Sequence, residues 1–363
     1  MKLILLPAIF LSLLGLVMLV SISADRVLLQ SIFFVAAVLV GWLCFRIGAK
    51  NLLPIIWPMY ITILVFLGLT FIFGAVTRGS VRWLSFGGIK LQASEMAKPI
   101  LLLVSVYFFS KPWLENKKFQ LKLLAKSGLA AGGLVVLVAV QPDLGTAMIL
   151  AAIFICAVVI SSPPRWLMGT GILLLVLSVL FGKLGKLDKL GLKDYQIRRL
   201  ESFANPYSDP KGDGYQVIQS TIAVGSGMWT GRGLGRGTQS QLKFLPERHT
   251  DFIFASLVEE LGFLGGAVVL GLYAAIILGL VKAAWAAEDK IDRLMLGSAA
   301  GWLFFQSAIN IMMNLGLSPV TGITLPFLSS GGSSMVSSAA ILGLALSVAE
   351  KRRNCFFTGD KVL

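Results

Sequence analysis

Ten stretches of this 363-residue chain are apolar over lengths that can cross a bilayer, and that property removes most folds from consideration. A crossing helix needs roughly 20 residues, and in lipid only helices and closed barrels satisfy their own backbone polar groups. The stretches are 3–22, 27–45, 52–73, 95–110, 124–140, 144–161, 165–182, 252–281, 294–315 and 331–349. With 56% hydrophobic residues, 14% charged residues and a mean hydropathy of +0.83, the chain lacks the polar surface to cover a soluble globule. The expectation is an all-α polytopic membrane protein with ten transmembrane helices, forming a single transmembrane domain over 1–363. Lys2 and the Ser21-Ile22-Ser23-Ala24 stretch imitate a secretory signal. The apolar run between them is too long for one, so it reads as an uncleaved span.

Charge sets the orientation. An even number of spans puts both termini on one side, and Lys351-Arg352-Arg353 after the last span marks that side as cytoplasmic. Cytoplasmic segments, including the tail 350–363, then hold 16 Lys and Arg against five in the short outer loops and 11 in the external loop 183–250. Long loops are translocated largely regardless of charge, so the last group does not weaken the assignment. Cys44 and Cys156 fall in spans and Cys355 in the tail, so no disulfide is expected.

The large external loop lies between helices 7 and 8. Its 11 basic residues face six acidic ones, which suits it to anions. Leu184, Leu187 and Leu190 alternate with Lys183, Lys186 and Lys189, a pattern fit either for an anionic headgroup surface or for a solvated linker. Gly225 to Gly237 carries six glycines with Arg232 and Arg236. No strand precedes them, so they make no dinucleotide fingerprint, although their N–H groups and arginines are candidates for phosphate contact. Between helices 9 and 10, Ser318 to Ser334 is too apolar for a solvated loop and too rich in Pro and Gly for a helix. Irregular backbone at that depth requires protein or a water-filled cavity around it. A re-entrant loop follows.

Asp251 stands where the charged loop Leu245-Pro246-Glu247-Arg248-His249-Thr250 meets the apolar run Phe252 to Val258. A carboxylate at that boundary is costly and points to function, while a helix N-cap by Thr250 or Asp251 is the structural alternative. Glu95 and Lys98, three apart on one helix face, form a ready pair. Asp143 sits in the short turn Gln141 to Thr146, as a cap, an ion pair or part of a substrate site. Gln306, Asn310 and Asn314 form one amide stripe, read as helix-to-helix glue ahead of a cavity lining. Glu260, nine positions after Asp251, falls on the opposite helix face, so Asp251 acts alone.

Gly237 to Ala255, followed by Glu259-Glu260-Leu261-Gly262, resembles the signature of the SEDS family, the shape, elongation, division and sporulation proteins. Arg82-Trp83-Leu84, Gln92 to Glu95, the Gln141 to Thr146 turn, Asn205-Pro206 and Pro319 to Ser334 follow in family order. Gln141 and the Gly237 to Leu242 stretch are more similar to elongation members than to division members. Thr324 stands where elongation members have Pro, and Ser330 where the family has Tyr.

The resemblance implies a peptidoglycan glycosyltransferase of the bacterial cytoplasmic membrane. Its substrate would be lipid II, polymerised on the outer face for cell-wall elongation and rod shape. Asp251 matches the essential aspartate, and Glu95, Lys98 and Asp143 match polar positions near the cavity. Arg82, Arg248, His249, Ser329 and Ser330 are further candidates for substrate contact, with His249 as the rival base. A class B penicillin-binding protein, other elongation-complex membrane proteins and membrane lipid are the implied partners, with no nucleic acid. No cofactor is implied with certainty; a divalent cation, Mg²⁺ or Mn²⁺, is an alternative source of positive charge, though no Asp-x-Asp pair marks a site. A lipid II flippase or other secondary transporter is the competing reading of ten helices with buried carboxylates, but it leaves Asp251 and the external loop unexplained.

Overall fold

The computed structural model describes residues 1–77, 80–86, 89–110, 117–161, 194–210, 212 and 214–358. Six long helices come first: α1 (Lys2–Ile22), α2 (Val27–Ile47), α3 (Ile56–Phe73), α4 (Ala93–Phe109), α5 (Lys117–Val140) and α6 (Leu144–Ser161). Two shorter ones, α7 (Asp194–Ala204) and α8 (Tyr215–Ser226), precede the last three long ones: α9 (Ile253–Trp285), α10 (Lys290–Asn314) and α11 (Gly332–Thr358). Eight described helical stretches are long and apolar enough to cross a membrane. The other predicted crossing among the described residues is α4, at 17 residues. The seventh predicted span, 165–182, lies outside the described residues, as do the 183–190 Lys/Leu stretch and residues 359–363 of the tail.

α4 is short because it runs through the centre of the bundle. Most of its residues are buried, and Leu101, Leu102 and Val106 share a core with Ile149 and Ile153 of α6, Trp302 and Leu303 of α10 and Ile341 of α11. α2 is the opposite case: only Gln30 and Ala37 are buried. Its single packed edge lies on α11, where a Cβ added at Gly343 would stand 2.1 Å from the Gly41 carbonyl oxygen. Small residues allow such backbone approach, and packing of this kind drives helix association where water no longer does.

The chain is not wholly helical. β1 (Ala75–Thr77), β2 (Ser80–Phe86) and β3 (Ile89–Gln92) form an antiparallel sheet in the order β1-β2-β3, with Trp83 opposite Gln92. The sheet lies at the end of the bundle that carries Asp251. At the other end Lys50 pairs with Asp289 and with Asp292, the latter at 3.2 Å, tying the α2–α3 turn to the α9–α10 turn.

The eighth predicted span, 252–281, departs from a continuous helix. Gly262 has φ 71° and ψ −171°, which breaks α9 into a first segment through Leu261 and a longer second segment. Residues 253–260 are all buried, whereas the second segment exposes Phe263, Leu264 and Val268 to the hydrocarbon. Backbone groups released by the break are taken up by the loop that follows α8. Arg232 N donates to Glu259 O and Gly233 N to Glu260 O, while Phe263 N and Leu264 N donate to Met228 O and Trp229 O. The glycines of 225–237 serve this contact. Cβ atoms at Gly227 and Gly231 would lie 2.0 and 2.1 Å from Val258 O and Glu260 O. The N–H groups of Arg232 and Gly233, considered above for phosphate, are thus already engaged.

Candidate active site

Asp251 lies in the turn just before α9, and two amides from α10 hold it. Asn310 Nδ2 and Asn314 Nδ2 each donate to the Asp251 carbonyl oxygen at 3.0 Å. Asn314 Oδ1 also accepts from Ala255 N at 2.9 Å. The N-cap position of α9 is Phe252, which makes no side-chain capping bond. A buried helix start needs its free N–H groups satisfied. At Ala255 that service comes from α10 and from neither Thr250 nor Asp251. The Asp251 carboxylate is half-buried and faces the irregular chain before α11: its Oδ2 is 3.6 Å from where a Cβ on Gly322 would stand. Gly322 stands at φ 72°, a backbone conformation that favours glycine.

Residues 319–331 wrap around this point without regular structure, and their backbone groups are satisfied by side chains. Asn310 Nδ2 donates to Ile323 O at 2.7 Å and Gln306 Nε2 to Thr324 O at 3.0 Å. The amide stripe is therefore glue between helix and loop, and it couples the loop to Asp251. Ser329 accepts from Leu325 N and donates to Thr250 O, both at 2.7 Å. Ser330 N donates to His249 O, and Gly331 N to Gln30 Oε1 at 3.2 Å. Ser329 and Ser330 thus fasten the loop to the residues preceding Asp251. Gln30 escaped the sequence reading, although a lone amide in an apolar span was the available signal.

Glu95 and Lys98 form an enclosed pair one layer further in, at 2.7 Å, with Lys98 fully buried. Ser337 donates to Glu95 at 3.2 Å, and Lys98 donates to Gln306 Oε1 at 3.1 Å. Through Lys98 the pair contacts Gln306 of the stripe that holds the loop. Asp143 accepts from Ser94 Oγ at 2.8 Å and Gln92 Nε2 at 2.9 Å through Oδ2, and from Thr146 N at 3.4 Å through Oδ1. It caps α6 and anchors the end of β3. A Cβ on Gly145 beside it would meet Ile323 Cγ2 at 2.5 Å and Thr321 O at 2.7 Å, so this turn reaches the same loop.

Arg248 donates through Nε and Nη2 to Ile22 O, at 3.3 and 3.0 Å, binding the loop to the end of α1. His249 is buried, and its Nε2 has no hydrogen-bond partner. Burial first, then the charge of Arg26, pushes its pKa down to about 4. It is neutral near pH 7. Arg82 falls on β2, and its side chain lies outside the described residues.

Glu259 and Glu260 have separate duties. Glu259 accepts from Gln239 N at 2.7 Å and Ser240 N at 2.9 Å, capping the turn Thr238–Gln241. Glu260 accepts from Ser21 Oγ and from Gln241 Nε2, linking that turn to α1. Neither joins Asp251. Among the described residues no three His, Cys, Asp or Glu groups come together to hold a metal ion.

A multi-pass helical bundle with a carboxylate at the start of α9, packed on a buried irregular loop, defines a class of polytopic membrane protein, and the comparisons narrow it. Residues 1–354 match the family described as Cell cycle protein, FtsW/RodA/SpoVE. The chain belongs to this family, the SEDS proteins, and is RodA-like. It is 38% identical over 301 residues to peptidoglycan glycosyltransferase MrdB of Escherichia coli K12, covering 81% of this chain and 78% of that one. It is 35% identical over 280 residues to stage V sporulation protein E of Bacillus subtilis, covering 77% and 74%. Among solved structures it superposes on a chain of a peptidoglycan synthase complex with a TM-score of 0.78, 33% identity and 96% of each chain covered. The rod shape determining protein RodA of Thermus thermophilus gives a TM-score of 0.66 at 27% identity, covering 96% of this chain and 95% of that one.

Proposed function

We propose that this chain is a peptidoglycan glycosyltransferase of cell-wall elongation that polymerises lipid II, with Asp251 as its general base. Relatives at 38% and 32% identity carry the glycosyltransferase name, from Escherichia coli and from Geobacter sp. strain M18. The observation that carries the role of Asp251 is its mounting. Two asparagines from α10 fix its backbone, one of them also accepts from Ala255 N at the start of α9, and its carboxylate faces Gly322 of the irregular chain before α11.

Lipid II is α-linked to undecaprenyl pyrophosphate and the product is β-linked, so the anomeric carbon inverts in one displacement. The acceptor 4-hydroxyl gives its proton to Asp251 as its oxygen bonds to that carbon, and the bond to the diphosphate oxygen breaks. Glycosidases need a second carboxyl to protonate a poor leaving alcohol. A diphosphate leaves as an anion and asks for positive charge instead. Arg248 lies three residues before the base and is the nearest candidate along the chain for that charge, whereas neutral His249 supplies none. A divalent ion, Mg²⁺ or Mn²⁺, would need the diphosphate itself as its principal ligand.

The bundle end bearing Asp251 faces outward, with both termini cytoplasmic, because Lys2, Arg46, Lys50, Lys282 and Lys290 gather at the other end. The neighbouring structure from a peptidoglycan synthase complex supports a class B penicillin-binding protein as partner. Purified chain supplied with labelled lipid II, with and without that partner, tests the reading. Wild type makes glycan strands, and Asp251→Ala, still folded, loses about 10²- to 10⁴-fold in rate. A chain that moves lipid II between leaflets without joining it would overturn the assignment.

A further inference from the structure

Two cavities meet at Phe45. One is an apolar groove of about 350 Å³ between α1 and α2, floored by α11, with Ile9 and Val38 on its walls. It runs from Leu346 up to Met335 and Phe327. Eleven helical steps from Met335 to Leu346 make it about 17 Å long, close to half of a hydrocarbon core of about 30 Å. The other cavity, about 310 Å³, is polar and lined by Arg46, Asn51, Ser347 and Glu350. It sits at the groove's lower end, where a headgroup of that leaflet would lie. Arg46 stacks over Trp42 at 5.8 Å, and neither Arg46 nor Glu350 makes an ion pair with another described residue.

We propose that this pair of cavities is a binding site for one phospholipid of the leaflet opposite the catalytic face, and that its headgroup carries both a phosphodiester and a primary ammonium, as in phosphatidylethanolamine. The groove takes an acyl chain one leaflet long. Arg46 meets the phosphate, together with the second N–H of the Asn51 amide, whose Nδ2 already donates to Ile47 O at 2.7 Å, and Glu350 meets the ammonium. Among the described lining residues the one cation, Arg46, stands beside the one anion, Glu350, which fits a zwitterion. The lipid substrate does not fit the same place, because its diphosphate must reach Asp251 at the other end of the bundle. The chain end would rest against Phe327 and Met335, next to the loop whose Ser329 holds Thr250. The exclusion of the lipid substrate rests on the proposed role of Asp251, whereas lipid retention at the site is read without turnover.

The test is native mass spectrometry of the full chain extracted in mild detergent, then delipidated and offered phosphatidylethanolamine, phosphatidylglycerol or undecaprenyl phosphate in mixed micelles. Phosphatidylethanolamine is expected to be retained about fivefold over phosphatidylglycerol, the effect of one contact worth about 1 kcal/mol. Val38→Trp, on a lipid-facing wall, fills the groove and releases both phospholipids, and Ile9→Trp does the same from the opposite wall. Arg46→Gln weakens both, while Glu350→Gln removes the preference alone. Retention unchanged in both tryptophan variants, a preference that survives Glu350→Gln, or undecaprenyl phosphate displacing phosphatidylethanolamine would each overturn the proposal.

Discussion

Asp251 carries the proposed chemistry, but its neighbours decide how it stands. Truncating Asn310 would take the amide donor from Ile323 O and truncating Asn314 the acceptor from Ala255 N, each a loss of about 1–3 kcal/mol if left unsatisfied, so the mounting of Asp251 is itself a large share of marginal stability. His249 offers a separate handle. Its imidazole titrates near 6.5 when unfolded and near 4 when folded, so the folded chain resists protonation. The associated stability is present above pH 6.5 and is lost as pH falls from there towards 4. Its size is about 3 kcal/mol from the shift. A melting curve should therefore drop in temperature over that interval and flatten in His249→Asn, while a wild-type curve level between pH 7 and 4 would contradict the burial argument.

At the scale of elements, the break in α9 is what separates a buried segment beside Asp251 from one with an exposed apolar face. Gly262 occupies a backbone region open essentially to glycine alone, and an added Cβ would lie 2.3 Å from Gly231 N. Gly262→Ala should cost about 2–5 kcal/mol from strain and overpacking together, seen as lost monodisperse protein and a lower melting temperature. Gly271→Ala, with nothing within 4 Å of its added Cβ, is the control and should be neutral or better. This break was hidden from the sequence, because Leu261-Gly262-Phe263 reads as one more stretch of an apolar run. The β1–β3 sheet was missed for a related reason: Val81 to Phe86 is too short to stand out beside long apolar spans. Spans themselves were legible because hydrocarbon thickness dictates their length. The amide stripe was visible as a pattern, but its partners at Asp251, Ile323 and Thr324 are set by folding alone.

Across the whole molecule, contacts join the beginning of the chain to its end. α2 rests on α11 through Gly41 and Gly343, and Gln30 of α2 holds Gly331 at the start of α11. A chain halted after residue 331 should leave the packed edge of α2 bare and be degraded faster than the full chain in a pulse-chase experiment. Supplying 332–363 as a second polypeptide should restore its lifetime, and an equally long-lived truncated chain would show that α2 needs no such partner. For a protein threaded into the bilayer from its first residue onward, this pairing has a temporal meaning. The second helix leaves the translocon almost alone and idles in lipid, open to quality-control proteases, until the ribosome has nearly finished. Completion of the bundle is then a proofreading step, and only chains translated to the end acquire a locked architecture.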